Sequence, residues 1–428
     1  DLLGGASTKR NVSDWLYQLA WEANPLNDHK NALDDSIDIK ALALEVKNHF
    51  DRQIDHEPLN SYKEILVDLE YMSIGYIIHN LYEMGFEFVI GMDFTISIVM
   101  EQLGIIESYT RLTARIFDIL SEEGLFSKQG NQLKVEKKPN SNDYLREPEN
   151  ISKSSAEYIL LERCGTNLKD VLRGEKEAVS LLFPEGDTII TTELYENSSE
   201  ALVMNQLIKE VIKRIIDKID SGKKIRILEI GAGTGGTTSH ILPLLNSESS
   251  IYEFTDISPL FLSKAEEKFK EFDFVNYKFL DLEKSPIEQG FKTSSYDIVL
   301  ASNVIHATKD LSESIENIKE LLNSNGLLIL LEGAIKQRFL DLTFGLTEGW
   351  WRFNDSIRTT YPLLSASNWI TVLEEQGFDS VSGFPEKKID LLNQTIILAQ
   401  GYQKIKECKK ATKQWVVFSD QQGVGNSL

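Results

Sequence analysis

The chain has little of what marks a secreted protein, a cysteine-based metal protein or a membrane protein. Only two of its 428 residues are cysteines, Cys164 and Cys408, and they lie far apart in the sequence. This scarcity excludes a disulfide framework and a zinc site built from cysteines, and it is typical of the reducing cytosol. No apolar run approaches the roughly 20 residues of a membrane span, and no signal peptide is recognisable. We therefore expect a cytoplasmic protein without a membrane partner.

Positive charge is also scarce. The sequence has 45 lysines and arginines against 66 aspartates and glutamates, a formal net charge of −21. Such a balance disfavours binding to a nucleic-acid backbone or to an anionic membrane, so we expect no nucleic acid among the partners. A hydrophobic content of 42% and an aromatic content of 9% are those of an ordinary globular protein. The length predicts two domains plus linkers rather than a single core.

The most informative segment is Ile227–Gly236, with the sequence ILEIGAGTGG. Its apolar run opens into a glycine-rich turn before a helix-like segment, the order that holds nucleotide-type cofactors in open α/β sheets. Gly231, Gly233 and Gly235 let the backbone approach a ligand where a Cβ would collide. Glu229, directly before the loop, argues against a phosphate, which is held by bare N–H groups. A carboxylate there suits a ligand with a cationic end, such as the amino group of S-adenosylmethionine (SAM).

A second apolar run, Ile251–Asp256, also ends in an acid. Asp256 lies about 20 residues past the glycine loop, the spacing at which a second-strand carboxylate reaches ribose hydroxyls. The alternative is that Asp256 only caps a helix starting near Ser258–Pro259. The loop and the acid occur together in the right order, which favours the ribose interpretation.

After residue 224 strand-like and helix-like segments alternate, which predicts a doubly wound α/β sheet. The predicted strands lie near 225–230, 251–255, 275–280, 297–301, 327–332, 378–383 and 393–399. The short connection through Gly383–Pro385 predicts that the last two strands form an antiparallel hairpin. From Ile39 to about Asn131 the periodicity is mostly helical. Residues 124–135 resemble the wing of a winged-helix unit, but the acidic charge favours an ordinary hairpin without a nucleic-acid role.

Two candidate catalytic residues follow neighbouring strands of this sheet. The strand ending near Ala301 delivers Asn303 and His306 to the crevice where ligands bind, and the next strand ends in Glu332. A carboxylate partner fixes the tautomer of an imidazole and makes it a better base. We therefore interpret His306 and Glu332 as a catalytic pair, the alternatives being a structural histidine and a carboxylate at a helix start.

In nine short segments, which occur in the same order, the chain resembles the carbon-methyltransferase (C-MeT) domains of modular polyketide synthases. Such domains are found also in highly reducing fungal synthases. The matches are Cys164–Gly165 with Leu172–Gly174, Leu181–Gly186, Glu193–Tyr195, Leu228–Thr238, Phe254–Ser258, Leu280–Glu283, Asn303–Thr308, Leu331–Glu332 and Gly345–Phe353. The flanking segments Trp15–Trp21 and Trp415–Gly425 resemble pieces of the structural ketoreductase subdomain that brackets this domain in synthases.

The resemblance implies a class I SAM-dependent methyltransferase: a Rossmann-like, seven-stranded doubly wound sheet with a terminal antiparallel hairpin, preceded by a mostly helical lid. It implies that Glu229 and the three loop glycines hold the methionine part of SAM and that Asp256 takes the ribose hydroxyls. Asp281 and Leu282 would lie along the adenine, and Asn303 would sit near the sulfonium end.

The resemblance also implies the reaction, which is methylation of the α-carbon of a β-ketoacyl or malonyl-type thioester. His306 would be the general base, supported by Glu332, and the resulting enolate would receive the methyl group. General-base help is worth about 10²–10⁴-fold, so positioning has to supply much of the rest. Tyr195 resembles the lid tyrosine, whereas Trp350 and Trp351 would line the acyl entrance unless they only pack in the core.

The implied partners are an acyl carrier protein bearing a phosphopantetheine-linked acyl chain and the neighbouring synthase domains. We expect a linker with a flanking strand at 1–37, the lid at 38–199, the SAM-binding core at 200–402 and the start of a structural, ketoreductase-like subdomain at 403–428. The chain has no initiator methionine and ends just after the strand-like Gln414–Asp420, so we expect a segment of a larger polypeptide. Some synthase methyltransferases use a metal, but no H-x-x-H or clustered Cys/His spacing predicts one here.

Three other functions compete with this interpretation. An O- or N-methyltransferase for a tethered or free small molecule would use the same cofactor site without needing a strong histidine base. An inactive structural domain would only space its neighbours, against which the intact Glu229, Asp256 and His306 argue. An NAD(P)-dependent oxidoreductase would need a Tyr-x-x-x-Lys pair or similar, and none occurs near the site.

Overall fold

A computed structural model of the protein describes residues 32–33, 37–53, 57–140, 148–220, 222–384 and 392–402. For the described residues within 51–61 and for residue 402, it describes the backbone only. The segments Trp15–Trp21 and Trp415–Gly425, which resemble a ketoreductase subdomain, lie outside the described residues. Within the described part, no helix is long and apolar enough to traverse a bilayer.

A seven-stranded sheet forms the C-terminal half of the described chain. Its strands are β4 (Ile225–Ile230), β5 (Ser250–Asp256), β6 (Val275–Phe279), β7 (Tyr296–Ser302), β8 (Leu322–Gly333), β9 (Phe378–Phe384) and β10 (Gln394–Tyr402). They are ordered β6-β5-β4-β7-β8-β10-β9, the first five parallel and the last two antiparallel to their neighbours. All seven predicted strands and the terminal antiparallel pair are confirmed.

The central strands are apolar throughout because both faces of the sheet are covered, as in other parallel sheets. Consecutive residues of β8 alternate between the two faces: Leu328 and Leu330 lie in one apolar cluster, and Ile329 lies in the other. Each of the three is at most 1% exposed. This double burial is why the strand segments stand out so clearly in the sequence.

Helices cover both faces of the sheet. They are α9 (Ser199–Ile216), α10 (Gly236–Ile241), α11 (Pro259–Lys268), α12 (Leu311–Leu321) and α15 (Ala366–Glu375). Three of them begin at a side-chain cap: Ser198, Asp310 and Ser365 each accept a hydrogen bond from the backbone N–H three residues on.

The N-terminal region is mostly helical, as predicted. Its helices are α1 (Ile39–Gln53), α2 (Glu57–Glu83), α3 (Ile96–Leu103), α4 (Thr110–Glu122), α5 (Ala156–Thr166), α6 (Leu168–Leu172), α7 (Ala178–Leu182) and α8 (Ile189–Glu196). The sequence assigns α1 to the lid at 38–199, but α1 buries Ile39, Leu42 and Val46 with α9 against the sheet. Helical periodicity predicts that a helix forms and not what it packs against, so the sequence does not indicate this contact.

The predicted hairpin within residues 124–135 is present and joins a small antiparallel sheet. Strands β2 (Phe126–Gln129) and β3 (Gln132–Val135) pair with each other, and β3 also pairs with β1 (Asp93–Thr95). Phe126 makes edge-to-face contacts with Phe94 and Phe117. The hairpin therefore closes the core of the helical region.

The segment after β8 crosses from the sheet to the helical region. It contains α13 (Arg338–Asp341) and α14 (Glu348–Trp351). Arg115 of α4 binds Asp341 over 2.8 Å, and Arg111 of α4 donates to the carbonyl oxygens of Trp351 and, over 2.7 Å, Phe353. This crossing segment thus forms a wall between the sheet and the helices, above the point where the strand order reverses between β4 and β7.

Candidate active site

The glycine loop has the geometry that its sequence predicts. Gly231, Gly233 and Gly235 have positive φ angles of 58°, 56° and 72°. A Cβ on Gly231 would collide with Val304, and one on Gly235 would collide with the ring of Phe269. At Gly233 the same position is open, with no atom nearer than the carbonyl oxygen of Gly231 at 3.9 Å. Two of the glycines therefore serve close packing, whereas Gly233 leaves room for a ligand.

Glu229 is buried beneath this loop, with 1% of its surface exposed. Its Oε2 accepts hydrogen bonds from the hydroxyls of Thr238, over 2.5 Å, and Tyr252, over 2.6 Å. Burial raises the pKa of Glu229 to about 7, although these two donors act in the opposite direction. A nearly neutral carboxyl group bordering a cavity is poised to ionise when a cation binds beside it.

Asp256 ends β5 and holds the loop from the other side. Its Oδ2 accepts a hydrogen bond from the backbone N–H of Gly233 over 2.9 Å, and its Oδ1 accepts one from the N–H of Ser258 over 2.7 Å. Burial raises the pKa of Asp256, and the backbone donors partly offset this. Asp256 therefore supports the loop and the turn that leads into α11, although α11 has no side-chain cap, and it also borders the cavity.

His306 and Glu332 meet as the strand order predicts. Nδ1 of His306 lies 2.5 Å from Oε2 of Glu332, which is fully buried. Oε1 of Glu332 accepts hydrogen bonds from the backbone N–H groups of Ile305, over 2.8 Å, and Val304, over 3.3 Å. The carboxylate thus fixes both the ring of His306 and the 3-10 turn Ile305–Ala307 that carries it.

A cavity of about 430 Å³ connects the glycine loop with His306. Most of the predicted site residues line it: Glu229, Gly231, Gly233, Asp256, Asn303, His306, Tyr195 and Trp350. Gly235, Asp281, Leu282, Glu332 and Trp351 do not. Of these, Glu332 contacts the ring of His306, and Gly235 lies at the start of α10.

The predicted adenine contacts lie outside the cavity. Asp281 is bound to Lys284 over 2.9 Å and accepts a hydrogen bond from the N–H of Glu283. Leu282 is buried in the apolar cluster around Phe291. These two residues follow β6 as predicted, but the structure turns their side chains into local contacts.

The tryptophan pair divides between the two predicted roles. Trp350 lines the cavity and packs edge-on against the ring of His306, with centroids 5.2 Å apart. Trp351 donates its Nε1 proton to the carbonyl oxygen of Gly345 over 2.7 Å and packs on Tyr361. Trp351 is therefore a core residue, whereas Trp350 borders the ring of His306.

Tyr195 and Asn303 face the same space. The ring of Tyr195 packs against Phe344, with centroids 5.6 Å apart. Burial, and secondly the charge of Glu332, raise the pKa of Tyr195, so its hydroxyl stays protonated and able to donate. Asn303, in the left-handed region at φ 54°, donates from Nδ2 to Oε1 of Gln394 over 3.0 Å.

Several polar residues of the cavity escaped the sequence analysis. The hydroxyl of Thr237 donates to Oδ1 of Asn205 over 2.9 Å and lies 3.1 Å from Oγ of Ser302. Glu200, at the start of α9, accepts hydrogen bonds from the backbone N–H groups of Asn393, over 2.5 Å, and Gln394, over 3.2 Å. These residues come from elements far apart in sequence. Thr237 lies in the matching segment Leu228–Thr238, but nothing in the pattern marks its hydroxyl as part of the cavity.

The cavity fits SAM in both shape and chemistry. The open position above Gly233 accepts a close-lying ligand, and Glu229 offers a carboxyl group to the ligand's cationic amino end. Asp256 offers carboxylate oxygens at the end of the second strand, where ribose hydroxyls bind in such folds.

Comparisons with known proteins agree with this site. Residues 228–328 match the family described as "Methyltransferase domain". The crystal structure of the CurJ carbon methyltransferase is 38% identical, with a TM-score of 0.77, and covers 85% of this chain and 98% of that one. The structure of the citrinin polyketide synthase CMeT domain is 27% identical, with a TM-score of 0.74 and coverage of 85% and 98%.

A long synthase also matches in sequence. The non-reducing polyketide synthase ausA of Penicillium brasilianum is 38% identical over 231 residues, which make up 53% of this chain. The match spans only 9% of the length of that synthase.

Proposed function

Because the chain belongs to the family of carbon-methyltransferase domains of polyketide synthases, we propose that it methylates the α-carbon of an acyl thioester on an acyl carrier protein. The chain is a SAM-dependent carbon methyltransferase. The proposed substrate is a β-ketoacyl or malonyl-type thioester, whose α-carbon is acidic enough to be deprotonated. The His306–Glu332 pair beside the cavity carries this proposal.

The cofactor half of the cavity would hold SAM through the loop and the two acids. Glu229 would bind the amino group, Gly231 and Gly233 would lie along the methionine part, and Asp256 would bind the ribose. Asn303 would face the reacting end, since it lines the same cavity three residues before His306. When bound, SAM supplies an electrophilic methyl group whose former bonding pair stays on sulfur.

His306 would accept the α-proton at Nε2, since Nδ1 faces Glu332. The electron pair of the broken C–H bond moves into the enolate, and the α-carbon becomes the nucleophile. Glu332 would hold the imidazole in the tautomer with the proton on Nδ1 and stabilise the imidazolium that forms. Trp350, packed against the ring, would limit its rotation and exclude water from the reacting atoms.

The helical region would act as the lid and the sheet as the SAM-binding core. We propose that residues 38–199 form the lid and residues 200–402 the core. Helix α1 lies in the first range but packs against the sheet of the core. Tyr195, at the end of α8, would close over the bound ligands. Residues 1–37 and 403–428 would lead into neighbouring synthase domains, and the acyl carrier protein would deliver the substrate to the Trp350 side of the cavity.

An O- or N-methyltransferase remains the second candidate because it would use the same cofactor residues. A buried His–Glu pair favours carbon as the acceptor, since an α-carbon becomes nucleophilic only after its proton is removed, whereas a hydroxyl oxygen or an amine nitrogen already carries a lone pair. An inactive structural domain would not need the open position at Gly233 or the ordered pair at His306.

His306→Ala tests the proposal directly. We expect the variant to bind SAM normally and to lose methylation of an acetoacetyl-loaded acyl carrier protein, read by intact mass. His79→Ala, at an exposed position of α2, is the matched control and should leave the rate unchanged. Full turnover by the His306 variant would refute the base, and a small loss would favour the O- or N-methyl acceptor.

A further inference from the structure

Arg358 lies directly behind the turn that carries His306. Its guanidinium group donates from Nη1 to the carbonyl oxygen of His306 over 2.6 Å. From Nη2 it donates to the carbonyl oxygens of Thr308, over 2.7 Å, and Lys309, over 3.3 Å. None of the side chain of Arg358 is exposed. A single buried cation thus holds three carbonyl groups of the backbone turn that carries the proposed base.

Asp355 fixes the guanidinium group in this position. Its Oδ2 accepts hydrogen bonds from Nε of Arg358, over 2.9 Å, and from Nη2, over 2.5 Å. The same oxygen accepts one from the N–H of Leu311, at the start of α12. Burial alone would raise the pKa of Asp355, but the bonds and the charge of Arg358 outweigh it and hold the pKa below its ordinary value. The pair stays charged inside the protein.

Burying such a pair is expensive and seldom increases stability over an apolar replacement. Its retention therefore calls for a role that apolar residues could not fill. The five N–H groups of arginine form a rigid planar fork, which can bind several carbonyl oxygens at fixed angles. The carbonyl oxygens of His306 and Thr308, at the end of the 3-10 turn Ile305–Ala307, accept hydrogen bonds from Arg358. That of Lys309 also accepts one from the backbone N–H of Asn354 over 2.8 Å.

The base is held from two sides. Glu332 binds the ring of His306 and the backbone N–H of Ile305, which precedes it. Arg358 binds the carbonyl oxygens of His306 and Thr308. Glu332 does not contact the carbonyl oxygen of His306, whereas Arg358 does. Arg358 therefore adds a second restraint on the peptide that carries the ring.

We propose that Arg358 is a positioning residue for the general base and sets the direction in which Nε2 of His306 meets the substrate. The proposal rests on the proposed function of His306. Arg358 contributes no proton and touches neither substrate nor cofactor. Its effect is geometric, and a displacement of about 1 Å at a reacting group costs on the order of 100-fold in rate.

The test measures proton removal separately from methyl transfer. Acetoacetyl-pantetheine is incubated with the protein in D₂O without SAM, and exchange of its α-hydrogens is followed by NMR. Arg358→Met removes every donor, and Arg358→Lys keeps the charge but not the fork. We expect exchange to fall about 100-fold for Met and less for Lys, with unchanged SAM affinity by calorimetry and a lower rate constant at saturating substrate rather than a higher KM.

Arg115→Met is the matched control. Arg115 is another buried arginine bound to an aspartate, Asp341, but it has no contact with the 306–309 turn among its described partners. We expect it to lower the melting temperature comparably while exchange stays within about threefold of wild type.

Each outcome decides the proposal. Wild-type exchange rates in both Arg358 variants would overturn it, as would a parallel loss of SAM affinity, which would mark general disorder of the site. If the Met variant does not fold, at least about a tenfold slowing in the Lys variant supports the proposal and a wild-type rate overturns it. If wild type exchanges no faster than His306→Ala, the base itself is refuted and the positioning role falls with it.

Discussion

Tyr252 donates a hydrogen bond from its hydroxyl to Oε2 of Glu229 over 2.6 Å, and the pKa of this carboxyl group is about 7. Burial raises the pKa of Glu229 from 4.5 to about 7 in the folded protein without ligand. Between these two values the folded protein holds a proton that the unfolded chain has lost. The contribution of Glu229 to the stability of the ligand-free protein should therefore fall as the pH rises through this window and then stay level.

A cationic ligand reverses the preference of Glu229 because it stabilises the carboxylate. We expect SAM binding below pH 7 to release a proton. The affinity for SAM should fall by up to about tenfold for each unit by which the pH is lowered. Calorimetry in buffers of different ionisation enthalpy measures the proton. Glu229→Gln should bind more weakly and lose the pH dependence, and a wild-type affinity that is flat from pH 5 to 7 would remove Glu229 from the amino-group site.

Glu332→Gln should inactivate the base without disturbing the fold. The backbone N–H groups of Ile305 and Val304 require an oxygen at the Oε1 position, so the amide NH₂ must face Nδ1 of His306. Nδ1 then becomes the acceptor and the ring proton moves to Nε2, the atom that has to accept the α-proton. We expect the methylation rate to fall about 10³–10⁴-fold with SAM affinity unchanged.

Glu253→Gln is the control for that substitution, since Glu253 is equally a buried strand residue but lies outside the cavity, bound to Lys278 and Tyr296. Its rate should match wild type. An active Glu332→Gln variant would reduce Glu332 to a structural cap.

Asp256→Ala separates loop support from ribose binding. Both predict weaker SAM binding, because the variant frees the N–H groups of Gly233 and Ser258 as well as any ribose hydroxyl. The comparison of S-adenosylhomocysteine with its 2′-deoxy analogue distinguishes them. We expect wild type to prefer the ribose form by about tenfold and the variant to lose that preference, as coupled groups do in a double-mutant cycle.

Asp310→Ala controls for the loss of a carboxylate bound to a backbone N–H group near a helix start, since Asp310 caps α12 away from the cavity. It should lower the free energy of unfolding by about 1 kcal/mol and leave the affinities for S-adenosylhomocysteine and its 2′-deoxy analogue unchanged. An equal preference for the ribose form in wild type and Asp256→Ala would assign Asp256 to the loop only.

Gly236→Ala should show how closely α8 and α10 approach. A Cβ at Gly236 would lie 2.6 Å from the carbonyl oxygen of Tyr195, which also accepts a hydrogen bond from Asn205 over 3.0 Å. Backbone must move to relieve the contact, which costs about 1–3 kcal/mol. We expect a lower melting temperature and, since Tyr195 moves with α8, a turnover reduced by about tenfold or more.

Ser239→Ala lies in the same helix, where its hydroxyl only bonds back to the carbonyl oxygen of Gly235. It should be nearly neutral in both measurements. A Gly236→Ala variant with full turnover would show that the position of Tyr195 is not critical.

The sequence predicts those parts of the molecule that depend on neighbours along the chain. The strands stand out because each is buried on two faces, and the loop, Asp256 and the His306–Glu332 pair follow from the rule that ligands meet the carboxyl ends of parallel strands. The packing of α1 on the sheet depends on which apolar faces meet, which periodicity does not encode. The same holds for Trp351, Asp281 and Leu282, whose positions in motifs do not say which way the side chains turn.

Arg358 illustrates the remaining limit. It lies about 50 residues after His306 in a segment without regular structure, and no spacing rule connects a side chain to a backbone carbonyl so far away. Only the folded chain brings the two together.

Phe353 has a consequence for engineering assembly lines by exchanging their parts. The guanidinium groups of Arg111, from α4, and of Arg358 both lie over its ring, 4.3 and 5.3 Å from the centroid. One aromatic side chain thus joins the N-terminal helices to the arginine behind His306. A chimera could combine the helical region of one methyltransferase domain, corresponding to residues 38–199 here, with the sheet of another. It would need compatible residues at all three positions, so the helices and the sheet should be exchanged together.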